Sequence, residues 1–307
     1  MTEEAAPATG AATAIVVPQV NPLLETLLAA PEGGRILTLS HSRLAAFSKC
    51  PYRFRLKYID KVPEAYVPAQ AVALAHGKLV HKAIELVIRY QEKTGSLEEV
   101  SPRGISVEAL EEVRKEEEVP DPDARLGELE EVMTQWVEHE RSVRPYPTVL
   151  LDGEELRETL TEVDGVRVDL LGLPDRILFA TPRDYIIIDH KTGKSSYGVS
   201  QLRDSLQLRM YAYLWLRHLS RNPGRARHQG DVRIRIRYSK VSKDGVREVE
   251  TYLMPWDLYP VEDHLKKLAK DILTSNFEPH PGRMCSLCPY RAQGCSFSAW
   301  RPTEGGP

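Results

Sequence analysis

Two aspartates and a lysine stand where a buried strand would normally carry aliphatic side chains. The segment RDYIIIDHKTGK runs from three isoleucines directly into Asp189, His190 and Lys191, and GLPDRI carries Asp175 upstream. A hairpin centred on Pro182 would place the two aspartates opposite each other, with Cβ atoms about 5 Å apart. Such carboxylates repel unless a positive charge lies between them, and oxygen-rich sites suit Mg²⁺ or Mn²⁺. The alternative is an ordinary salt bridge of Asp189 and a turn aspartate at Asp175.

The four cysteines form the second candidate site. Cys285, Cys288 and Cys295 lie within eleven residues, whereas Cys50 lies more than two hundred positions upstream. The first residues lack the basic and apolar layout of a secretory signal, and no apolar run approaches the roughly 18 residues of a membrane span. We therefore expect a cytoplasmic protein with no membrane partner. In a reducing compartment this cysteine spacing is more typical of metal or cluster ligands than of disulfides.

Charge is distributed unevenly along the 307 residues. Segment 98–140 holds 15 acidic and 4 basic residues, and segment 217–247 holds 10 basic and 2 acidic residues. In VRIRIRYSK, Arg233, Arg235 and Arg237 alternate with aliphatic residues, so a strand would present three guanidinium groups on one face. That face is a candidate contact for nucleic-acid phosphates. Two alternatives are that both segments are solvated surfaces, or that the arginines pair with the acidic segment.

Sequence periodicity predicts the elements that carry these residues. Residues 1–34, rich in Ala, Pro and Thr, are expected to be a flexible leader. Strands are predicted over VRVDLLGLPDRILFA, over DYIIIDHKTGK, in the arginine segment and near 248–253. Helices are predicted over LSHSRLAAFSKCPYRFRLKYI, opened by Ser40 or Ser42, in the acidic segment on both sides of VPDPD, and over about 72–93, 200–219 and 260–275.

Taken together, these motifs resemble the PD-(D/E)XK nuclease superfamily in its RecB-like form. GLPDRI and IIIDHKTGK match the catalytic core, HGKLVHKAIE matches a G-x3-H motif at Gly77 and His81, and QLRMYAYLW matches a Q-x3-Y motif at Gln207 and Tyr211. AddB-like and CRISPR-associated-exonuclease-like members with an iron-sulfur cluster carry one cysteine before the core and three near its C-terminal end. The match there is to Cys50, Cys285, Cys288 and Cys295, and the resemblance runs from about 39 to 297.

The resemblance implies a restriction-endonuclease-like α/β fold, in which helices flank a central mixed sheet. One RecB-like nuclease domain is expected over 35–300, with 98–145 as an acidic helical insertion. Segment 280–300 would be a cysteine-rich staple holding the C-terminal end against the core. Residues 301–307 are expected to form a flexible tail.

The resemblance also implies roles for individual residues. His81, Asp175 and Asp189, helped by the backbone carbonyl of His190, would bind Mg²⁺ or Mn²⁺. Lys191 would orient or deprotonate a water molecule, or offset charge that builds on the phosphorus. Gln207 and Tyr211 lie four apart on a helix and share a face, so they would position Lys191, the water or a phosphate.

The expected activity is metal-dependent hydrolysis of phosphodiester bonds by an exonuclease acting on DNA ends, chiefly single strands. The four cysteines would hold a [4Fe-4S] cluster, with structural zinc as the alternative. DNA repair, recombination and CRISPR adaptation are all open, with a helicase or CRISPR adaptation proteins as partners. The alternative function is a non-catalytic DNA-end-binding iron-sulfur subunit of a helicase-nuclease complex.

Overall fold

Two mixed β-sheets form the framework of the protein. The computed structural model describes residues 20–28, 34–143, 148–152, 155–181, 184–193, 197–221, 232–291 and 295. The strands in these ranges are β1 (Arg35–Ser40), β2 (Thr148–Asp152), β3 (Leu156–Val163), β4 (Val166–Gly172), β5 (Arg176–Thr181), β6 (Asp184–Lys191), β7 (Arg233–Ser242) and β8 (Gly245–Leu253).

The strands are divided between a three-stranded sheet, β1-β4-β3, and a five-stranded sheet, β2-β5-β6-β7-β8. Strand β1 runs parallel to β4 and β6 runs parallel to β7, while the other pairs are antiparallel. The expected α/β fold with mixed sheets and flanking helices is confirmed, but the prediction of a continuous strand through VRVDLLGLPDRILFA is wrong, because this segment belongs to two sheets. Pro174 has no N–H to give to a ladder, and the chain leaves one sheet at Gly172 and enters the other at Arg176.

Eight α-helices occur in the described ranges: α1 (His41–Lys49), α2 (Pro51–Phe54, continued by a π-helical turn to Ile59), α3 (Pro68–Thr94), α4 (Pro102–Arg114), α5 (Pro122–Ser142), α6 (Val199–Arg203), α7 (Leu206–Arg221) and α8 (Tyr259–Thr274). Ser40 caps α1, as the sequence predicts, and Gly95 ends α3 in the left-handed region, with φ of 72°. The single helix predicted over about 200–219 is two helices, α6 and α7. None of the described helices is long and apolar enough to cross a membrane.

Part of the predicted flexible leader is packed against the core. The Asn21 backbone N–H donates to the Leu273 carbonyl at 2.8 Å, and the Asn21 side-chain amide donates to the Ser275 carbonyl at 2.6 Å. Leu24 is fully buried. Residues 20–28 are therefore anchored at the end of α8, whereas 1–19, 29–33 and the predicted tail 301–307 lie outside the described residues.

The acidic insertion forms a core of its own. Apolar faces of α3, α4 and α5 enclose Leu79, Met133 and Trp136, and this core reaches the sheet at Val241. Helix α5 also packs on β7 and β8. The interpretation of segment 98–140 as a solvated surface therefore holds only for its charged face, because its apolar face covers one side of the five-stranded sheet.

A buried ion pair joins this insertion to the strand that follows Asp175. The Arg176 guanidinium lies 3.0 Å from the Glu140 carboxylate, and their side chains are only 4% and 11% exposed. Arg176 begins β5 and Glu140 lies in the last turns of α5. The pair thus ties the insertion to the beginning of β5.

Glu140→Ala is expected to lower the free energy of unfolding by about 3 kcal/mol, because it leaves a buried guanidinium without a counter-charge. Urea denaturation measures this loss. The matched control is Glu138→Ala, an exposed carboxylate on the same helix, which should change stability by less than about 0.5 kcal/mol. Equal losses in the two variants would show that the pair contributes nothing specific.

Candidate active site

The hairpin of β5 and β6 brings the two predicted aspartates to the same end of the sheet. Arg176 pairs with Ile188 in this ladder, so Asp175 lies beside the position of Asp189, as the predicted turn centre requires. The backbone N–H of His190 donates to Asp175 Oδ2 at 2.6 Å. Asp175 is therefore fixed from the backbone of the neighbouring strand.

Helix α3 supplies a histidine to this end of the sheet. His81 Nδ1 lies 3.1 Å from Asp175 Oδ1. One turn earlier is Gly77, where an added Cβ would lie 3.4 Å from Thr192 Oγ1, just beyond β6. A Cβ at Gly77 would thus make only an ordinary van der Waals contact, so α3 lies close to the strand end without requiring a glycine there.

Lys191 lies in a chain of polar contacts that runs from β6 to α7. Its ammonium group pairs with the Asp189 carboxylate and donates to Gln207 Oε1 at 3.1 Å. The Gln207 amide donates in turn to the Tyr211 hydroxyl at 3.2 Å. The lysine ammonium also lies 5.1 Å from the centre of the Tyr238 ring. These contacts fix the position of the lysine on the face it shares with Asp189.

Close packing of α7 on the three-stranded sheet places Gln207 and Tyr211. A Cβ at Gly172 would lie 2.5 Å from Leu214 Cδ1 and 3.1 Å from Tyr211 Cδ1. A larger residue at Gly172 would require the Leu214 side chain, and to a smaller extent the Tyr211 ring, to shift. This glycine is the first residue of the GLPDRI motif, which did not indicate its contact with α7.

The two aspartates are electrostatically unequal. Burial and repulsion by Asp175 raise the pKa of Asp189 to about 6. Burial also disfavours ionisation of Asp175. The hydrogen bond from His81 and the charge of His81 outweigh this effect and lower the pKa of Asp175 overall. Ionising Asp189 therefore costs free energy that a further positive charge at this point would recover.

The pKa values of the two basic partners, His81 and Lys191, are both raised. Burial opposes protonation of His81, yet its hydrogen bond with Asp175 raises the pKa of His81 overall. Burial likewise opposes the charge on Lys191, whose pKa is nevertheless raised by Asp189. Lys191 is therefore a cation at neutral pH and serves as a hydrogen-bond donor.

The imidazole of His190 lies on the opposite face of β6 from the side chains of Asp189 and Lys191, and its ring lies 6.5 Å from the ring of His81. It is buried, which lowers its pKa to about 4, and its ring lies 6.1 Å from the ring of Trp136 in α5. Neither ring nitrogen has a hydrogen-bond partner in the described part of the chain. The imidazole is thus neutral and packs against the insertion, and the metal contact predicted for His190 remains that of its backbone carbonyl.

A histidine, two carboxylates and a nearby backbone make a donor set that suits a hard divalent cation. Within the described ranges, no three His, Cys, Asp or Glu side chains are already arranged to hold a metal ion. The carboxylates are instead engaged with His81, the His190 backbone and Lys191. The chemistry of the residues fits the cation, which would replace some of these contacts.

All four cysteines line one small cavity of about 40 Å³ between the start of α2 and the C-terminal segment. None of them forms a disulfide. The His280 backbone N–H donates to Cys50 Sγ at 3.4 Å, and the Gly282 backbone N–H donates to Cys285 Sγ at 3.3 Å. The fold therefore places cysteines from both ends of the chain around one cavity, and backbone donors face two of their sulfur atoms.

The arginine strand alternates as predicted. Ile234 and Ile236 are fully buried in the large core, and the three arginines share the opposite face. That face is occupied by carboxylates, which belong to the five-stranded sheet and not to the acidic insertion. The ion pairs are Arg233 with Asp184 at 2.9 Å, Arg235 with Glu250 at 3.2 Å, and Arg237 with Glu250 at 2.7 Å and Glu248 at 2.9 Å.

These pairs leave little of the strand available to a ligand. The side chains of Arg235 and Arg237 are only 18% and 20% exposed, and Arg233 is the most exposed of the three. The three arginines therefore do not form a row of unpaired guanidinium groups that is free to contact phosphates. Contact with DNA phosphates stays a prediction, in which phosphate would have to displace Glu250 from two guanidinium groups.

Two residues near the site were not predicted from sequence. Glu140 lies four positions after Trp136 on the apolar face of α5, and a charge at such a position is a signal for a buried partner. His41, the first residue of α1, is partly buried, and this burial, followed by the charge of Lys191, lowers its pKa to about 4. No motif would have connected His41 with Lys191.

Comparison with known proteins identifies the family. A family model described as the PD-(D/E)XK nuclease superfamily matches residues 38–293. No curated protein matches the chain. One similar solved structure is SSO0001, with 19% identity and a TM-score of 0.34, covering 70% of this chain and 82% of that chain. Another is a "Putative exonuclease" from Eubacterium rectale, with 12% identity and a TM-score of 0.46, covering 82% and 87%. With both TM-scores this low, the assignment rests on the family model, and by that match the chain belongs to the PD-(D/E)XK nuclease superfamily.

Proposed function

We propose that the chain is a metal-dependent deoxyribonuclease that hydrolyses phosphodiester bonds at DNA ends, with single strands as its preferred substrate. The observation that carries this proposal is the cluster at the end of β6, where Asp175, Asp189 and Lys191 meet His81 and Gln207. A histidine, two carboxylates and a lysine in this chain order also resemble the motifs expected of the superfamily to which the chain belongs.

His81, Asp175, Asp189 and the backbone carbonyl of His190 would hold Mg²⁺ or Mn²⁺. When bound, the cation would polarise the phosphodiester and make a water molecule a better nucleophile. Lys191 is held by Asp189 and Gln207, so its ammonium group can donate to a water molecule or to a phosphate oxygen. Tyr211 and Gln207 position the lysine and do not need to reach the substrate themselves.

A non-catalytic DNA-end-binding subunit is the alternative function. Such a subunit would have no use for an aspartate whose pKa is raised to about 6 by burial and by a second carboxylate. The retention of this unfavourable charge beside Lys191 favours the enzyme over the binding module.

We further propose that Cys50, Cys285, Cys288 and Cys295 ligate a [4Fe-4S] cluster. Their common cavity and the two backbone N–H donors to sulfur support this, because thiolate ligands are stabilised by such donors. Four thiolates also suit zinc. In either case the ligands would staple the C-terminal segment to the start of α2.

The same resemblance supports a place in DNA repair, recombination or CRISPR adaptation, in the cytoplasm. A helicase or CRISPR adaptation proteins would then supply the DNA end. These assignments depend on the cleavage activity and are secondary to it.

The experiment that tests the proposal compares linear single strands, linear duplexes and closed circular single strands as substrates. With Mn²⁺ or Mg²⁺, linear single strands should be degraded fastest and circles should remain intact, while EDTA should stop all cleavage. Degradation of circles and linear strands at equal rates would show an endonuclease. Binding of linear ends without cleavage in either metal would establish the non-catalytic alternative.

A further inference from the structure

A cleft of about 320 Å³ opens beside His81 and Asp175, between α3 and the insertion helix α4. This volume lies at the lower limit of pockets that hold small ligands, which is sufficient for one nucleotide unit. Most charged residues on its walls are acidic. The carboxylates are Glu85 on α3 and Glu112, Glu116 and Glu117 on and just after α4.

Two cations line the cleft among the described residues, Lys78 and Lys82. They lie three positions before and one position after His81 on α3, so both are adjacent to the aspartate cluster. Lys78 is 57% exposed on its side chain and Lys82 is 32% exposed. Both lie in the HGKLVHKAIE segment, at positions that the G-x3-H motif does not specify.

Each lysine is already paired with a carboxylate of the cleft. Lys82 lies 2.8 Å from Glu85 on its own helix. Lys78 pairs across the cleft with Glu117, which belongs to the insertion. The second pair therefore spans the entrance between α3 and the end of α4, while the first leaves the entrance unaffected.

A phosphodiester that reaches Asp175 through this cleft must pass the acidic wall. Carboxylates repel a phosphate, and ammonium groups are the favourable contacts available to it. We propose that Lys78 binds the phosphate next to the scissile one in a single DNA strand, and that Glu117 occupies this lysine until the strand displaces it. This inference rests on the proposed function and names a substrate-binding residue and its competitor.

The pairing makes the acidic wall selective. A strand that enters far enough to reach Lys78 replaces one anionic partner by another, so the lysine stays neutralised. A strand that stops short meets the carboxylates without gaining the lysine. The cleft should therefore favour a threaded single strand.

The test measures binding of a fluorescein-labelled single-stranded oligothymidine in EDTA, by fluorescence anisotropy at several salt concentrations. Glu117→Gln should tighten binding about twofold to fivefold, the range expected for release of one exposed ion pair. Lys78→Gln should weaken binding and reduce the slope of log affinity against log salt by about 0.7. In the Lys78→Gln background, Glu117→Gln should no longer tighten binding.

Glu118→Gln is the matched control, since it removes the same charge from an exposed neighbour that does not line the cleft. Equal tightening by Glu117→Gln and Glu118→Gln would overturn the inference, as would tightening that persists without Lys78. Binding is measured without metal, so it is independent of cleavage. If the effect of Glu117→Gln on binding does not depend on Lys78 while the chain still cleaves DNA, this inference alone is wrong. A chain that neither binds nor cleaves DNA defeats the proposed function as well.

Discussion

Lys191→Ala is expected to slow cleavage of linear DNA by about 10² to 10⁴-fold, the usual range for loss of a positioned proton-transfer group or charge-stabilising donor. The lysine is held by Asp189 and Gln207, so its ammonium group is already oriented before substrate arrives. The measurement is the single-turnover rate at saturating Mn²⁺. Circular dichroism and DNA binding should change little, because Lys191 is only part-buried.

Lys243→Ala is the control for loss of a positive charge, since Lys243 lies exposed in the β7–β8 turn. It should cleave at the unmodified rate. The cleavage rate of Gln207→Ala should lie between those of Lys191→Ala and Lys243→Ala, because Lys191 would keep its Asp189 partner while losing its contact with Gln207. A Lys191→Ala variant that cleaves at the unmodified rate would show that this cluster is not the catalytic centre.

Cys50→Ser and Cys288→Ser are expected to have equal and severe effects on stability. A structural metal centre contributes on the order of 10 kcal/mol to folding, comparable with the whole stability of a domain. Cys50 and Cys288 line the same cavity, although they belong to opposite ends of the chain. Losing either ligand should therefore release the same contacts, with loss of soluble protein and of visible absorbance.

The measurement is the visible spectrum and metal content of anaerobically purified protein. Brown unmodified protein that contains iron and sulfide would support the iron-sulfur cluster. Colourless protein with one equivalent of zinc would show a zinc site instead. Ser286→Ala is the control, since it changes an exposed residue between two of the cysteines. Unchanged solubility and spectrum in Cys50→Ser would exclude Cys50 as a ligand.

Local signals predicted the parts of the fold that depend on neighbouring residues. The isoleucine run of β6 and its short turn to β5 determine the hairpin register, which places Asp175 beside Asp189. Helix spacing likewise placed Gln207 and Tyr211 on one face of α7. These predictions needed only periodicity and turn position, which the sequence contains explicitly.

The errors arose where a distant partner decides the outcome. The predicted strand is interrupted at Pro174, and its two halves belong to different sheets. No residue near Pro174 indicates that a second sheet is present. The arginines of β7 look like a phosphate-binding row until Glu250 is found opposite them. Charge counts along a segment describe its composition, but they do not say which carboxylate faces which cation.

The acidic insertion illustrates the same limit. Its net negative charge suggested a solvated surface, whereas Trp136 and Glu140 on its apolar face contact His190 and Arg176. A helix can carry many acidic residues and still bury one side. The insertion is therefore part of the support of the active site, and through Glu117 it also reaches the entrance of the cleft.

The most direct test of the central claim is the initial rate of single-strand cleavage as a function of Mn²⁺ concentration, for the unmodified chain and for Asp189→Asn. Asparagine keeps the shape of the side chain and removes the charge that opposes Asp175. The unmodified chain should show a saturable rise in rate, and the variant should stay at the EDTA background at every Mn²⁺ concentration. A variant that reaches the unmodified rate at saturating Mn²⁺ would contradict the assignment of Asp189 as a ligand at the catalytic centre.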